Sequence, residues 1–289
     1  MQSQSTKGVD PSADKPVRRY DIDWLRLMAV FVLFFFHTAR IFDPWENFYV
    51  HNDPPSYLLF DVFIGLVRPW GMNLFFLLAG ASTYYALQRR SGGQYVQERF
   101  KRLFIPFVFG VLVLIPPQSY LGLRSHSGYA KSFFEWFPQF FNLKMDDMDG
   151  YFLGGHTWGH LWFILHLFVY SLIVLPLLLY LNRESGRRLI DWLAKAFARP
   201  GALFVFPALL ILMSALPGDI AGGDPFIYIP FFVCGYILMS DPRFEETIDR
   251  HRTLALILGP VVLACVLGLT GEQPWPAGLP AWIEPIVDI

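Results

Sequence analysis

DWLRLMAVFVLFFFHTAR, residues 23–40, is apolar enough to lie in lipid and yet carries Asp23, Arg26, His37 and Arg40. The run decides the fold, because about 20 mostly apolar residues are what a helix needs to cross a hydrocarbon core roughly 30 Å thick. The rest of the chain agrees with it. Its 289 residues are 54% hydrophobic and 18% aromatic with 16% charged, and the mean hydropathy of +0.38 exceeds what a soluble domain of this length needs for its core. The expected fold is all-α, a polytopic bundle of transmembrane helices.

By the same ruler the chain holds about seven complete candidate spans. They run from Trp24 to Phe42, Val62 to Leu87, Leu103 to Leu121, Trp158 to Leu181, Ala202 to Leu216, Pro225 to Met239 and Leu254 to Leu269. PAWIEPIVDI, residues 280–289, turns apolar again and predicts the start of an eighth. The membrane domain is therefore expected over residues 21–289, incomplete at its carboxyl end, behind a disordered cytoplasmic tail over residues 1–20 that contains Pro11 and Pro16. No small-residue cleavage site follows the first apolar run, which reads as a retained signal anchor.

Lys and Arg collect in alternate connections. Arg18 and Arg19 precede the first span, and Arg89, Arg90, Arg99, Lys101 and Arg102 lie between the second and third. Arg183, Arg187, Arg188, Lys195 and Arg199 follow the fourth, and Arg243, Arg250 and Arg252 follow the sixth. The other connections carry Asp43, Glu46 and Asp53, then Asp146, Asp147 and Asp149, then Asp219 and Asp224. Basic connections stay in the cytoplasm, so the amino terminus is expected inside. The longest outer connection holds FFEWFPQFF, residues 133–141, expected to anchor at the interface or to act as a lid.

Near-zero net charge without a basic stripe gives no reason to expect a nucleic-acid partner. Cys234 and Cys265 sit in apolar runs with no ligand-spaced companion, so neither a disulfide nor a metal framework is expected.

On a helix, eleven steps from Arg26 to His37 return to within about 20° of the starting direction, roughly 16 Å further along. Asp23 and Arg40 lie within about 60° of that stripe, with Val30 and Leu33 between. Arg26 reads either as a ligand group or as a snorkelling interface anchor, and Arg40 as an outer anchor or part of a local ion pair. His37 is more demanding. An imidazole more than halfway across has a donor and an acceptor to satisfy without water, and intramembrane ionisable groups mark reacting sites or pathways, helix packing being the alternative. A histidine poised near neutrality suits general-base work in acyl transfer, and an arginine nearer the cytoplasm suits the phosphates of a carrier thioester.

Five ordered stretches resemble the integral-membrane O-acyltransferases of acyltransferase family 3, within it the glucan biosynthesis protein C branch. They are RRYDIDWLRLMAVFVLFFFH (18–37), RPWGMNLFFLLAG (68–80), RFKRLFIP (99–106), HLWFILHLFVYSL (160–172) and YIPFFVCGYIL (228–238). The resemblance implies transfer of an acyl group, acetyl or succinyl, from cytoplasmic acyl-CoA to a hydroxyl of an extracytoplasmic carbohydrate such as a periplasmic glucan. It further implies a bacterial-type inner membrane, with membrane lipid and the carbohydrate as partners. By matching positions, His37 would be the catalytic base with Arg26 as its companion, Arg99 and Arg102 the donor-binding arginines, and His160 and Trp162 part of the outer mouth of the fourth span. The chain departs from the wider family's pattern at Asn73, where many members have aspartate, and at Ala79, where they have serine.

These further residues also read physically. Arg99 and Arg102, three apart, share a helix face and suit a diphosphate, or simply anchor the inner end. Arg68, before Pro69 on the outer half, could meet a substrate carboxylate or Asp61, or be an anchor. His156 and His160 have i, i+4 spacing but no accompanying carboxylate, so a metal is not expected and His160 reads as an acceptor-side residue. A transporter or exporter of a small anion or acylated glycan would use the same intramembrane charges. Inverted repeats would mark such a protein, and the halves show none.

Overall fold

The computed structural model describes residues 19–43, 48–50, 58–142, 156–199, 201–202, 205–214, 216, 218 and 223–269, and its regular elements are helices. Residues 280–289, where an eighth span was expected to begin, lie outside this set. Of the expected tail only Arg19 and Tyr20 are described. Arg19 is engaged, pairing with Asp21 and with Glu245 some 226 positions away.

Helix α1, Tyr20–Ala39, runs on into a single 3₁₀ turn, Arg40–Phe42. Trp24, Leu25, Met28, Phe31, Phe34 and Phe35 face outward, as suits a helix with lipid on one side. The second expected span is two helices, α2 over Leu58–Val67 and α3 over Gly71–Leu87. Pro69 explains the break, since it lacks an N–H and disfavours helical backbone at Arg68.

Helix α4, Gly92–Arg99, starts at a capping box between Ser91 and Gln94. It passes through a π turn, Phe100–Phe104, into α5, Ile105–Val113, and α6, Ile115–Ser127. Pro106 has no N–H for the carbonyl of Arg102, which is where the helix widens. Helix α7, Phe133–Trp136, and the 3₁₀ turn Phe137–Phe141 carry the aromatic patch. Trp136 and Phe140 are fully buried against Phe107, Ile115 and Tyr120, while Phe134 is 82% exposed. The patch is thus a cap seated on α5 and α6, with Phe134 directed outward.

Helices α8, Trp162–Ile173, and α9, Leu175–Leu181, meet at a 50° bend ahead of Pro176. Helix α10, Glu184–Phe197, occupies what the sequence showed only as a basic connection. It lays Gly186, Ile190 and Ala194 on the bundle and leaves Trp192 outward. Helices α11, Val205–Ser214, α12, Pro225–Leu238, and α13, Pro242–Leu269, complete the described chain. At about 15 Å, α11 is shorter than a membrane core.

Among the described residues two continuous stretches, Tyr20–Phe42 and Leu59–Leu87, are long and apolar enough to cross a membrane, or up to five if each bent pair is one span. Helices α12 and α13 are bent by 105° relative to each other. The core sits where α3 crosses α12, with Phe76, Tyr170, Leu178, Phe232 and Tyr236 buried together. Glycine permits that crossing: a Cβ on Gly80 would lie 1.8 Å from the carbonyl oxygen of Phe232, and one on Gly235 1.9 Å from that of Leu77.

Candidate active site

Ile22, Arg26, Ala29, Leu33, His37 and Arg40 recur at steps of three and four, so they share one face of α1. Ile22, Ala29 and Arg40 are buried and His37 is half-buried, which identifies this as the bundle-facing side. Val30, placed on the stripe by the sequence count, is exposed, and the centre of the stripe falls on the Ala29 side.

At the end of the bundle that carries Arg89 and Arg90, Arg26 donates from Nη2 to Ser82 Oγ of α3 at 2.5 Å, and its Nη1 lies 3.6 Å from Asp23. Arg99 donates from Nη2 to Thr83 Oγ1 at 2.6 Å, its guanidinium 4.8 Å from the centre of the Tyr95 ring. Arg102 is 75% exposed and pairs with Glu98 at 2.9 Å. The expected side-by-side pair of Arg99 and Arg102 is thus divided between an inward and an outward residue. Arg26 and Arg99 instead meet consecutive residues of α3.

Toward the other end, His37 Nδ1 lies 2.8 Å from the Leu33 carbonyl oxygen. A carbonyl only accepts, so Nδ1 is the donor, and in the neutral imidazole Nε2 has the lone pair. The rings of Phe36 and Phe48 flank the imidazole at 5.5 and 6.3 Å. His160, at the start of the fourth expected span, is close enough for an electrostatic interaction with His37, and its Nδ1 lies 3.1 Å from Gln118 Oε1. Tyr49 fixes the approach to this span. Its hydroxyl lies 2.7 Å from where a Cβ on Gly159 would stand, and Gly159 has φ 49. Burial pushes the Tyr49 hydroxyl up to about 12, against the effect of a hydrogen bond with Thr157.

Arg40 belongs to a buried pair, donating from Nη1 to Asp43 Oδ2 at 2.5 Å, its guanidinium 5.7 Å from the centre of the Phe48 ring. The two readings left open for it resolve in favour of the ion pair.

A cavity of about 310 Å³ opens between Leu33 and Phe36 of α1, Arg68 and Pro69 of the turn, Asn73 of α3, and Ile227 and Tyr228 of α12. Asn73 donates from Nδ2 to the Pro69 carbonyl at 2.8 Å, holding the turn that presents Arg68. An ionised aspartate could not donate that bond. Trp162 supports the cavity wall from behind: its ring is 5.7 Å from Tyr228, which stacks on Phe76 at 4.6 Å.

The three histidines of HTWGHLWFILH take separate partners. His156 packs under Phe140 at 4.9 Å, where burial holds its imidazole below the ordinary range. His166 donates from Nδ1 to the Trp162 carbonyl at 2.7 Å, with Gly223 closely packed against its ring. Sequence reasoning missed Ser82, Thr83, Asp43 and Gln118 as partners of the site residues. A pair of hydroxyls inside an apolar span is the one signal that would have drawn attention to the first two.

The site has an imidazole bonded to its own helix near one end, a cavity with a cation beside it, and guanidinium groups toward the other. The family model described as "Acyltransferase domain" (Acyl_transf_3) matches residues 19–286. Glucans biosynthesis protein C from Salmonella paratyphi A and from Salmonella agona are each 21% identical over 241 residues, 79% of this chain and 60% of the relative. The chain therefore spans about 60% of the length of these curated relatives. No solved structure matches it. Matched over nearly its whole length and built from apolar helices around these groups, the chain belongs to acyltransferase family 3.

Proposed function

We propose that the chain is a membrane O-acyltransferase that moves an acetyl or succinyl group from cytoplasmic acyl-CoA to a hydroxyl of an extracytoplasmic carbohydrate such as a periplasmic glucan. The observation that carries the reading is the Nδ1–H of His37 held on the Leu33 carbonyl, which leaves Nε2 as the proton acceptor. In the step this permits, Nε2 takes the proton of the acceptor hydroxyl while its oxygen attacks the thioester carbonyl. The carbon–sulfur bond breaks, and the departing CoA thiolate takes up a proton, leaving an ester and free CoA. Arg26 and Arg99 hold the donor, with Arg102 at the rim. Asp23 braces Arg26, and Arg68, Asn73, His160 and Trp162 shape the acceptor side. On this reading the chain has about seven spans with the amino terminus in the cytoplasm of a bacterial-type inner membrane, so that donor and acceptor arrive from opposite sides.

Replacing His37 with alanine tests the reading. The variant should fold and bind CoA as the unaltered chain does, yet lose about 10²–10⁴-fold in acyl transfer, the usual contribution of a positioned base. Mass spectrometry of envelope carbohydrates from cells with and without the chain would show the mass of the acyl group. Unchanged acylation by His37→Ala would overturn the assignment of the base.

A further inference from the structure

Ser82 and Thr83 are consecutive residues of α3 with the same bonding pattern. Each hydroxyl donates its own proton back along the helix, Ser82 Oγ to the Leu78 carbonyl at 2.7 Å and Thr83 Oγ1 to the Ala79 carbonyl at 2.8 Å. With that proton committed, only the oxygen lone pairs remain, and each oxygen can act toward a neighbour solely as an acceptor. Arg26 reaches the first from α1 and Arg99 the second from α4. Thr83, fully buried, has a second acceptor position directed at the Tyr95 hydroxyl 3.1 Å away, so its capacity is filled.

We propose that Ser82 and Thr83 are positioning residues that hold Arg26 and Arg99 as one two-guanidinium seat for the phosphates of the thioester donor. The inference rests on the acyltransferase reading above. Successive residues on a helix point about 100° apart, so the two arginines approach the same turn of α3 from two sides. A guanidinium has five donors, and the bond to the hydroxyl uses one and fixes the direction of the others. The Tyr95 ring near one face of Arg99 limits its rotation in the same way. The two forks are thereby set before the ligand arrives, which lowers the ordering cost of binding an anion. CoA offers a diphosphate and a separate phosphate, matching two cations at distinct directions. Arg102, tied outward to Glu98, lies outside the seat.

The test is CoA binding by the full chain in lipid nanodiscs, measured by titration calorimetry with thermal unfolding alongside. Ser82→Ala should weaken CoA binding about tenfold, the loss expected when a charged donor is no longer oriented, with its unfolding midpoint unchanged because this hydroxyl is only partly buried. Ser82→Thr should restore binding. Arg188→Ala, which removes an exposed charge on α10, should leave it untouched. Thr83→Val should weaken binding and also lower the midpoint, since it strands the buried Tyr95 hydroxyl, whereas Thr83→Ser should do neither. Wild-type affinity in Ser82→Ala and Thr83→Val overturns the seat alone. Failure of the unaltered chain to bind CoA overturns the acyltransferase reading and the seat with it.

Discussion

At the residue scale, the polar groups of α1 divide by what they touch. Arg40 and Asp43 are 9% and 3% exposed and bonded to each other, so each neutralises a charge the interior would otherwise reject. Removing one partner of such a pair costs more than the pair contributes, because the remaining charge stays buried. Asp43→Asn should therefore destabilise the fold by about 3–5 kcal/mol, read by chemical unfolding in detergent. A double replacement, Arg40→Met with Asp43→Leu, should cost less than Asp43→Asn. His37 differs in kind. One nitrogen is committed to the backbone of its own helix, leaving Nε2 unused by that bond, which is the arrangement a proton acceptor needs. The spacing of Arg26 and His37 was legible in the sequence because helix geometry alone fixes which residues share a face. Their partners were not, since Ser82, Phe48 and His160 reach α1 only after separate segments fold together.

At the scale of elements, the crossing of α3 and α12 is set by two glycines that belong to two of the motifs recognisable in the sequence, Gly80 and Gly235. A methyl group at either position would overlap a backbone carbonyl of the other helix, and backbone cannot rotate away as a side chain can. Gly80→Ala or Gly235→Ala should lower stability by about 3 kcal/mol or more, while Gly93→Ala, which meets nothing within 4 Å in α4, should be neutral or stabilising by up to about 1 kcal/mol. Thermal unfolding of the three variants side by side checks the contrast. Helix α10 shows where reading by hydropathy stopped short. Its charges marked it as a connection, yet Gly186, Ile190 and Ala194 at steps of four make a narrow apolar stripe that is stable only against the bundle. Pro69, Pro106 and Pro176 mark breaks, a widening and a bend that a window of average hydropathy runs straight through.

At the scale of the molecule, exposed ion pairs link segments distant in sequence at the basic end. Asp191 of α10 bonds Lys195 and Arg243, and these hold its carboxyl below the ordinary carboxylate range, Lys195 foremost. An acid depressed in the folded state contributes stability that is present above its unfolded pKa, near 4, and is lost as pH falls through the folded value. Asp191→Asn should therefore be slightly less stable than the unaltered chain at neutral pH and converge with it as pH falls below about 4. Because these groups face solvent, about 1 M salt should shrink the difference between variant and unaltered chain.

The sequence by itself determined that the described residues form a helical fold with lipid-suited spans, which residues of α1 share a stripe, and which family the chain resembles. Those follow from local periodicity, apolar run length and motif order, and no long-range contact is needed to read them. Only the tertiary structure decided that Arg99 turns in while Arg102 turns out, that Arg40 is buried with Asp43, and that Ser82 and Thr83 receive the two arginines. It also decided how closely α3 and α12 approach. The physical reason is common to all four: a side chain's partner is set by which helices pack and how each is bent, and packing joins residues that the sequence keeps far apart.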